Sequence, residues 1–331
     1  MKKIKSGITI VFMAMLGVSP LSSALPKLKL DVEHISLSGL SSGGYMATQF
    51  QLAHSDWVNG VGIIAAGPYY CAQNDIRTAL DQCVNQLNSP IDLNVLSEQA
   101  KTWHQQGKLP SLSNLKSHKV WLFNGSKDAK VIAGVNHKLA EQYQKWVAPQ
   151  NLTYINDKPF AHLFPTLASG GKCDLSESPF IGHCGYDAAG EMLRFMLGDL
   201  QPRNEKTSGK LLEIDQQALG GKPAASLADS GYVYVPQSCE DGSSCTVHVS
   251  FHGCNQNAGA VNKQYAQNTG LNNWADSNHM VVIYPQTKSS MMLPLNPQGC
   301  WDWWGYTGKD YANQDGPQIK AVTNIIHALA K

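Results

Sequence analysis

The chain has 331 residues, 43% of them hydrophobic, enough to bury one large α/β core or two small ones. Its 26 lysines and arginines against 25 aspartates and glutamates leave a formal charge of +1, with no basic stripe or acidic tail. That balance excludes nucleic acid and anionic membrane surfaces as expected partners.

The first residues read as an address rather than as fold. Met1-Lys2-Lys3-Ile4-Lys5 is basic, Ile8 to Val18 is mainly apolar, and Ser22-Ser23-Ala24 offers small residues for cleavage. The pattern predicts a signal peptide over residues 1–24, with Leu25 as the mature N-terminus. The apolar run is too short and interrupted to predict a membrane span. The expected location is therefore secreted or periplasmic, with no membrane insertion after cleavage.

The eight cysteines, Cys71, Cys83, Cys173, Cys184, Cys239, Cys245, Cys254 and Cys300, fit export. None forms a C-x-x-C pair, so zinc ribbons and redox motifs are disfavoured and no metal is expected. An even number in an exported chain predicts disulfides. Proximity pairs Cys71 with Cys83, Cys173 with Cys184 and Cys239 with Cys245, which leaves Cys254 for Cys300.

In chain order, His34 to Leu37 predicts a strand and Gly44 to His54 a helix, joined by Gly39-Leu40-Ser41-Ser42-Gly43. A serine framed as Gly-x-Ser-x-Gly at a strand-to-helix turn has the form of a nucleophile elbow. Its glycines fit a turn in which flanking side chains would clash. Val58 to Ala65 predicts a second strand, followed by a polar excursion to His118 with helical character from Ile91 to Gln106. Lys119 to Phe123 predicts a buried strand, Ile132 to Trp146 a helix, and Leu152 to Ile155 another strand. Asp187 to Leu197 predicts an amphipathic helix, and Gly231 to Pro236 with Thr246 to Phe251 a hairpin. Asn262 to Ser277 predicts one helix, Met280 to Tyr284 a strand, and Gln318 to Ala330 a closing helix. Strands alternating with helices predict a mostly parallel sheet covered on both faces. No linker divides residues 25–331, so they are expected to form a single domain.

A serine nucleophile needs a base held in the right tautomer by an acid. In α/β-hydrolases these follow in the order serine, acid, histidine. Of eleven histidines, His54, His137 and His327 fall in helical patterns and read as surface residues; His248 alternates within a strand, and His183 lies inside a predicted disulfide loop. His162 alone follows a strand after an acid candidate, and is the expected base. Asp128, directly after the Lys119 to Phe123 strand, is the expected acid, although capping the next helix is an alternative job for it. Asp157 is the alternative acid, in a position that suits a turn.

Stabilising an oxyanion takes two backbone N–H donors, one of them from the residue after the nucleophile. Ser42 meets that condition, and Cys254 in His252-Gly253-Cys254 is the expected second donor, with His252 shaping the loop. This loop comes some two hundred residues after the elbow rather than before it. The displacement predicts a circularly permuted α/β-hydrolase fold with its two ends near each other. Three tryptophans, Trp301, Trp303 and Trp304, crowd the segment after Cys300. They read either as substrate contacts or as a core plug beneath the Cys254–Cys300 disulfide, with Trp301 favoured for the acyl pocket.

Gly-Leu-Ser-Ser-Gly-Gly-Tyr-Met at 39–46, Ala-His-Leu-Phe-Pro-Thr at 161–166 and His-Gly-Cys-Asn-Gln at 252–256 resemble the extracellular poly(3-hydroxybutyrate) depolymerases, in their circularly permuted single-domain form. The resemblance covers nearly the whole mature chain. It implies Ser41 as nucleophile, Asp128 as acid, His162 as base, and an oxyanion hole from the N–H groups of Ser42 and Cys254. It further implies polyester cleavage through a hydroxyacyl-serine, with no cofactor, on polyester or oligoester substrate, by a monomer. Many bacterial members carry a linker and a polymer-binding domain, which this chain does not display. The alternatives are a feruloyl or acetylxylan esterase using the same residues, or an exported binding protein without activity.

Overall fold

The computed structural model describes residues 27–85 and 90–330, so the expected signal peptide lies outside the described residues. In the first half come β1 (Lys29–Leu40), β2 (Val58–Ile64), β3 (Lys119–Phe123) and β4 (Leu152–Ile155). Three short strands follow, β5 (Phe164–Thr166), β6 (Gly171–Lys172) and β7 (Ile181–His183). The second half supplies β8 (Lys210–Asp215), β9 (Ser230–Val235), β10 (Ser244–Phe251) and β11 (Met280–Tyr284). Among the described residues, eight strands form one sheet in the order β4-β3-β2-β1-β10-β11-β9-β8, and β5-β7-β6 form a small separate one. Within the large sheet β9 alone runs opposite to the other seven strands.

The strands are apolar because both sheet faces are covered, as parallel sheets require. On one face Leu37, Ile63, Leu122 and Val249 pack with Phe50 of the helix Ser42–Ala53, Leu139 of Ala133–Gln144 and Val322 of Pro317–Leu329. On the other, Leu40, Trp121 and Tyr284 pack with Met192 of the helix Ala188–Leu197 and Trp274 of Leu271–Ser277. Fully burying one such side chain contributes about 1.5–3 kcal/mol.

The sheet order explains the displaced motifs. β1 lies between β2 and β10, parallel to both, although Ser36 and its partner His248 are 212 residues apart in sequence. The helix Pro317–Leu329 packs against β1 and the helix Ser42–Ala53, where a crossover from β11 into β1 would run. Its His327 ring lies 5.6 Å from that of Trp57, which directly precedes β2. The last helix therefore ends at the sheet edge where β1 begins. This is an α/β-hydrolase sheet opened in front of β1, the strand that leads into the Ser41 turn.

Three expectations fail. β9 and β10 are not a hairpin: both edges of β10 are taken by β1 and β11, and β9 pairs with β11 and β8 instead. The predicted helix 262–277 is two pieces, Gln264–Asn268 and Leu271–Ser277, parted by Gly270 at φ +84°. His54 is also not a surface residue; it is buried at the end of the first helix and bonded to Thr323 Oγ1 at 2.8 Å. Disulfides join Cys71 to Cys83, Cys173 to Cys184, Cys239 to Cys245 and Cys254 to Cys300.

Candidate active site

The site lies along the C-terminal edge of the large sheet. Backbone hydrogen bonds step across it: Ser41 N–H donates to Ile64 O, Ala65 N–H to Phe123 O, and Asn124 N–H to Ile155 O, at 2.8–2.9 Å. These bonds tie together the ends of β1, β2, β3 and β4.

Ser41 occupies the turn between β1 and the first helix with φ 58° and ψ −122°. Such a backbone costs of order 1–3 kcal/mol for a residue with a side chain and persists only where its surroundings impose it. The imposition is steric. A methyl group on Gly39 would sit 2.1 Å from Gly43 O, and one on Gly43 would sit 2.1 Å from Phe251 O. Both framing glycines are thus demanded by close backbone approach, the second one to the end of β10.

Asp128 and His162 come together. His162 Nδ1 donates to Asp128 Oδ2 at 2.8 Å, and both residues are buried. Asp128 Oδ1 meanwhile accepts from the N–H groups of Lys130 and Val131, which folds the turn after β3; it does not cap the next helix, whose N-cap is Ile132 with no side-chain cap bond. The acid and histidine loops touch directly, since Lys127 N–H donates to Phe160 O and Ser126 N–H to Lys158 O. Asp157 is exposed and paired with Lys158, away from this contact. No hydrogen bond joins the His162 ring to the Ser41 hydroxyl; catalytic bonds of this kind often tighten only around substrate.

The loop after β10 lies against the serine. A methyl group on Gly253 would be 3.4 Å from Ser41 Cβ and 3.3 Å from Leu40 O. Gly253 N–H donates to Gln256 Oε1 and Asn255 N–H to Gln298 O, both at 2.7 Å. Among the described residues the Cys254 N–H between them has no partner. Ser42 is the first residue of its helix, where N–H groups have no intrahelical acceptor. His252 shapes the loop: Nδ1 donates to Gly253 O, and Nε2 accepts from Thr287 N–H at 3.2 Å. Burial pushes its pKa down to about 4, in keeping with a neutral ring.

The tryptophans divide between the two roles. Trp301 is fully buried, edge-on to Phe251 at 5.0 Å, with its backbone N–H donating to Ser42 Oγ; it is the plug beneath the Gly253-Cys254 loop. Trp303 and Trp304 instead wall a groove of about 540 Å³ together with Cys254. Trp303 stacks on Tyr45, one turn along from Ser41, at 4.7 Å. A larger cavity of about 700 Å³ shares the wall at Asn296 and Tyr306 but contains none of the expected site residues, so size does not identify the site.

Sequence reasoning missed Asp302, the buried carboxylate within the tryptophan cluster. It accepts from the N–H groups of Trp304, Gly305, Tyr306 and Thr307 and from Thr307 Oγ1, which folds the aromatic loop around it. Burial raises its pKa, while those donors oppose the rise. An acid set among three tryptophans was the available signal.

No family model matches the chain. It is 36% identical over 337 residues to a polyhydroxybutyrate depolymerase of Talaromyces funiculosus, covering 97% of each chain. It is 38% identical over 327 residues to a poly(3-hydroxybutyrate) depolymerase of Delftia acidovorans; that match covers 96% of this chain but only 64% of the Delftia protein. Among solved structures it superposes with TM-score 0.86 and 35% identity on a serine-to-alanine PHB depolymerase complexed with an R3HB trimer, covering 93% of this chain and 99% of that one. The PHB depolymerase from Penicillium funiculosum gives 0.84 and 36%, covering 93% and 98%.

Proposed function

The chain belongs to the polyhydroxybutyrate depolymerase family, and on that premise we propose that it is a secreted serine esterase cleaving 3-hydroxybutyrate polyesters or their oligomers. The observation that carries the reading is the buried Asp128–His162 pair at the same sheet edge as the strained Ser41 turn. Ser41 Oγ attacks the ester carbonyl while His162 takes its proton, and Asp128 holds the ring with Nδ1–H towards the carboxylate. The N–H groups of Ser42 and Cys254 receive the oxyanion. His162 then returns the proton to the departing hydroxyl, and water releases the hydroxyacyl group from Ser41.

Trp303 and Trp304 offer the apolar wall a methyl-bearing polyester needs. Beside the same groove the surface carries Leu293 at 93% exposure, with Met291 and Met292 at 79% each. Exposed apolar residues gathered at a groove mouth mark a contact surface. This supports engagement of water-insoluble polymer by this face.

The test is Ser41→Ala, assayed with wild type on hydroxybutyrate oligomers, amorphous polymer granules, feruloyl esters and acetylated xylan. Loss of the nucleophile should lower turnover on the order of a million-fold while leaving the melting temperature unchanged. Turnover of the feruloyl or xylan esters in preference to both hydroxybutyrate substrates would overturn the substrate reading.

A further inference from the structure

Gln256 is wholly buried, carries no charge and belongs to no step of the reaction above. Its amide nevertheless spans the two loops on which that reaction depends. Oε1 accepts from Gly253 N–H at 2.7 Å; Nε2 donates to Pro179 O at 2.9 Å and to Phe180 O at 3.2 Å. The orientation of the amide is dictated, because one side presents a donor and the other two carbonyl acceptors. Phe180 O also accepts from Phe164 N–H at 2.8 Å, two residues beyond His162, and Ser176 Oγ donates to His162 O at 3.0 Å. The segment contacted by Gln256 is thus the one against which the histidine loop is built.

We propose that Gln256 is a positioning residue that locks the oxyanion loop to the His162 loop, holding donor and base in one frame. Nothing else among the described hydrogen bonds joins Gly253 or Cys254 to that segment. By engaging Gly253 N–H, Gln256 also fixes the His252–Gly253 peptide, the unit directly before the one whose Cys254 N–H is left for the oxyanion. The inference rests on the serine-esterase reading and names the strut that reading requires.

Two variants test it on a short-chain p-nitrophenyl ester. Gln256→Met keeps the volume and loses all three bonds; a 1 Å misplacement of catalytic groups can cost about a hundredfold. Its kcat should fall about 10- to 100-fold, together with its affinity for a boronate that mimics the tetrahedral intermediate, while KM moves less than about threefold. Gln256→Glu keeps the acceptor but lacks a donor when ionised and regains one when protonated. The ratio of its kcat to that of wild type should therefore rise as pH is lowered.

A Met variant with wild-type kcat and boronate affinity, or a Glu ratio flat with pH, would overturn the proposal. If the Met variant does not fold, the pH course of the Glu variant decides alone. Ser41→Ala, run alongside, separates the two readings. Turnover surviving in Ser41→Ala sinks the serine mechanism itself; its loss beside fully active Gln256 variants sinks only the strut.

Discussion

Asp128 uses its two oxygens for different purposes, one for the turn that bears it and one for His162. Asp128→Asn should separate them. The amide oxygen can still accept from Lys130 and Val131, but an amide cannot enforce the required tautomer of His162. Turnover is expected to fall on the order of 10³- to 10⁴-fold with little change in melting temperature; matched losses of activity and stability would contradict it. Other histidines bear on stability instead. Burial pushes His54 and His248 down to about 3, and His118 and His252 down to about 4. In the unfolded chain a histidine titrates near about 6.5, so between those values the unfolded state binds more protons. Their contribution is fully present above the unfolded pKa and is lost as pH falls towards 3. Asp302, raised by burial, works in the opposite direction, one group against four. Denaturant unfolding at pH 7 and pH 4.5 should show markedly lower stability in acid; equal values would contradict this.

Elements differ in how plainly the sequence announces them. β3 and β4 were legible to the residue because the apolar runs Lys119–Phe123 and Leu152–Ile155 each stand between polar breaks. β8 was not, since an edge strand bonded only to β9 buries little beyond Ile214 and shows a weak pattern. The false hairpin has a similar origin: a six-residue disulfide loop between two strands suggests a turn, while the partners that claim β10 lie far away in sequence. The candidate site follows the same division. Ser41, Asp128 and His162 stand just after strands and could be picked by position, whereas Gln256 acts on residues 76 and 77 places earlier. The Cys254–Cys300 bridge also works at this scale, holding the oxyanion loop to the aromatic one across 46 residues. Loop-closure entropy puts its effect at about 4 kcal/mol. A Cys254→Ser/Cys300→Ser double variant should melt at lower temperature and, assayed well below that point, lose kcat more than KM. Unchanged kcat there would detach the bridge from catalysis.

For the whole molecule the cut in front of β1 is a matter of connectivity, not of packing. Joining the closing helix to β1 with a flexible linker, and opening the exposed loop near Glu205, should preserve the sheet and the esterase activity. An insoluble or inactive product with native-like linker length would show that the cut itself carries stability. The cut also sets a sequence in time. A chain made from its N-terminus presents the elbow first, then Asp128 and His162, and only later the strand β10 that β1 needs on its other side. Pairings so far apart in sequence form late. Until that last third docks, Ser41, Asp128 and His162 stand without the loop that carries Cys254. On the proposed mechanism, the order of synthesis makes the oxyanion donor the last part of the site to arrive.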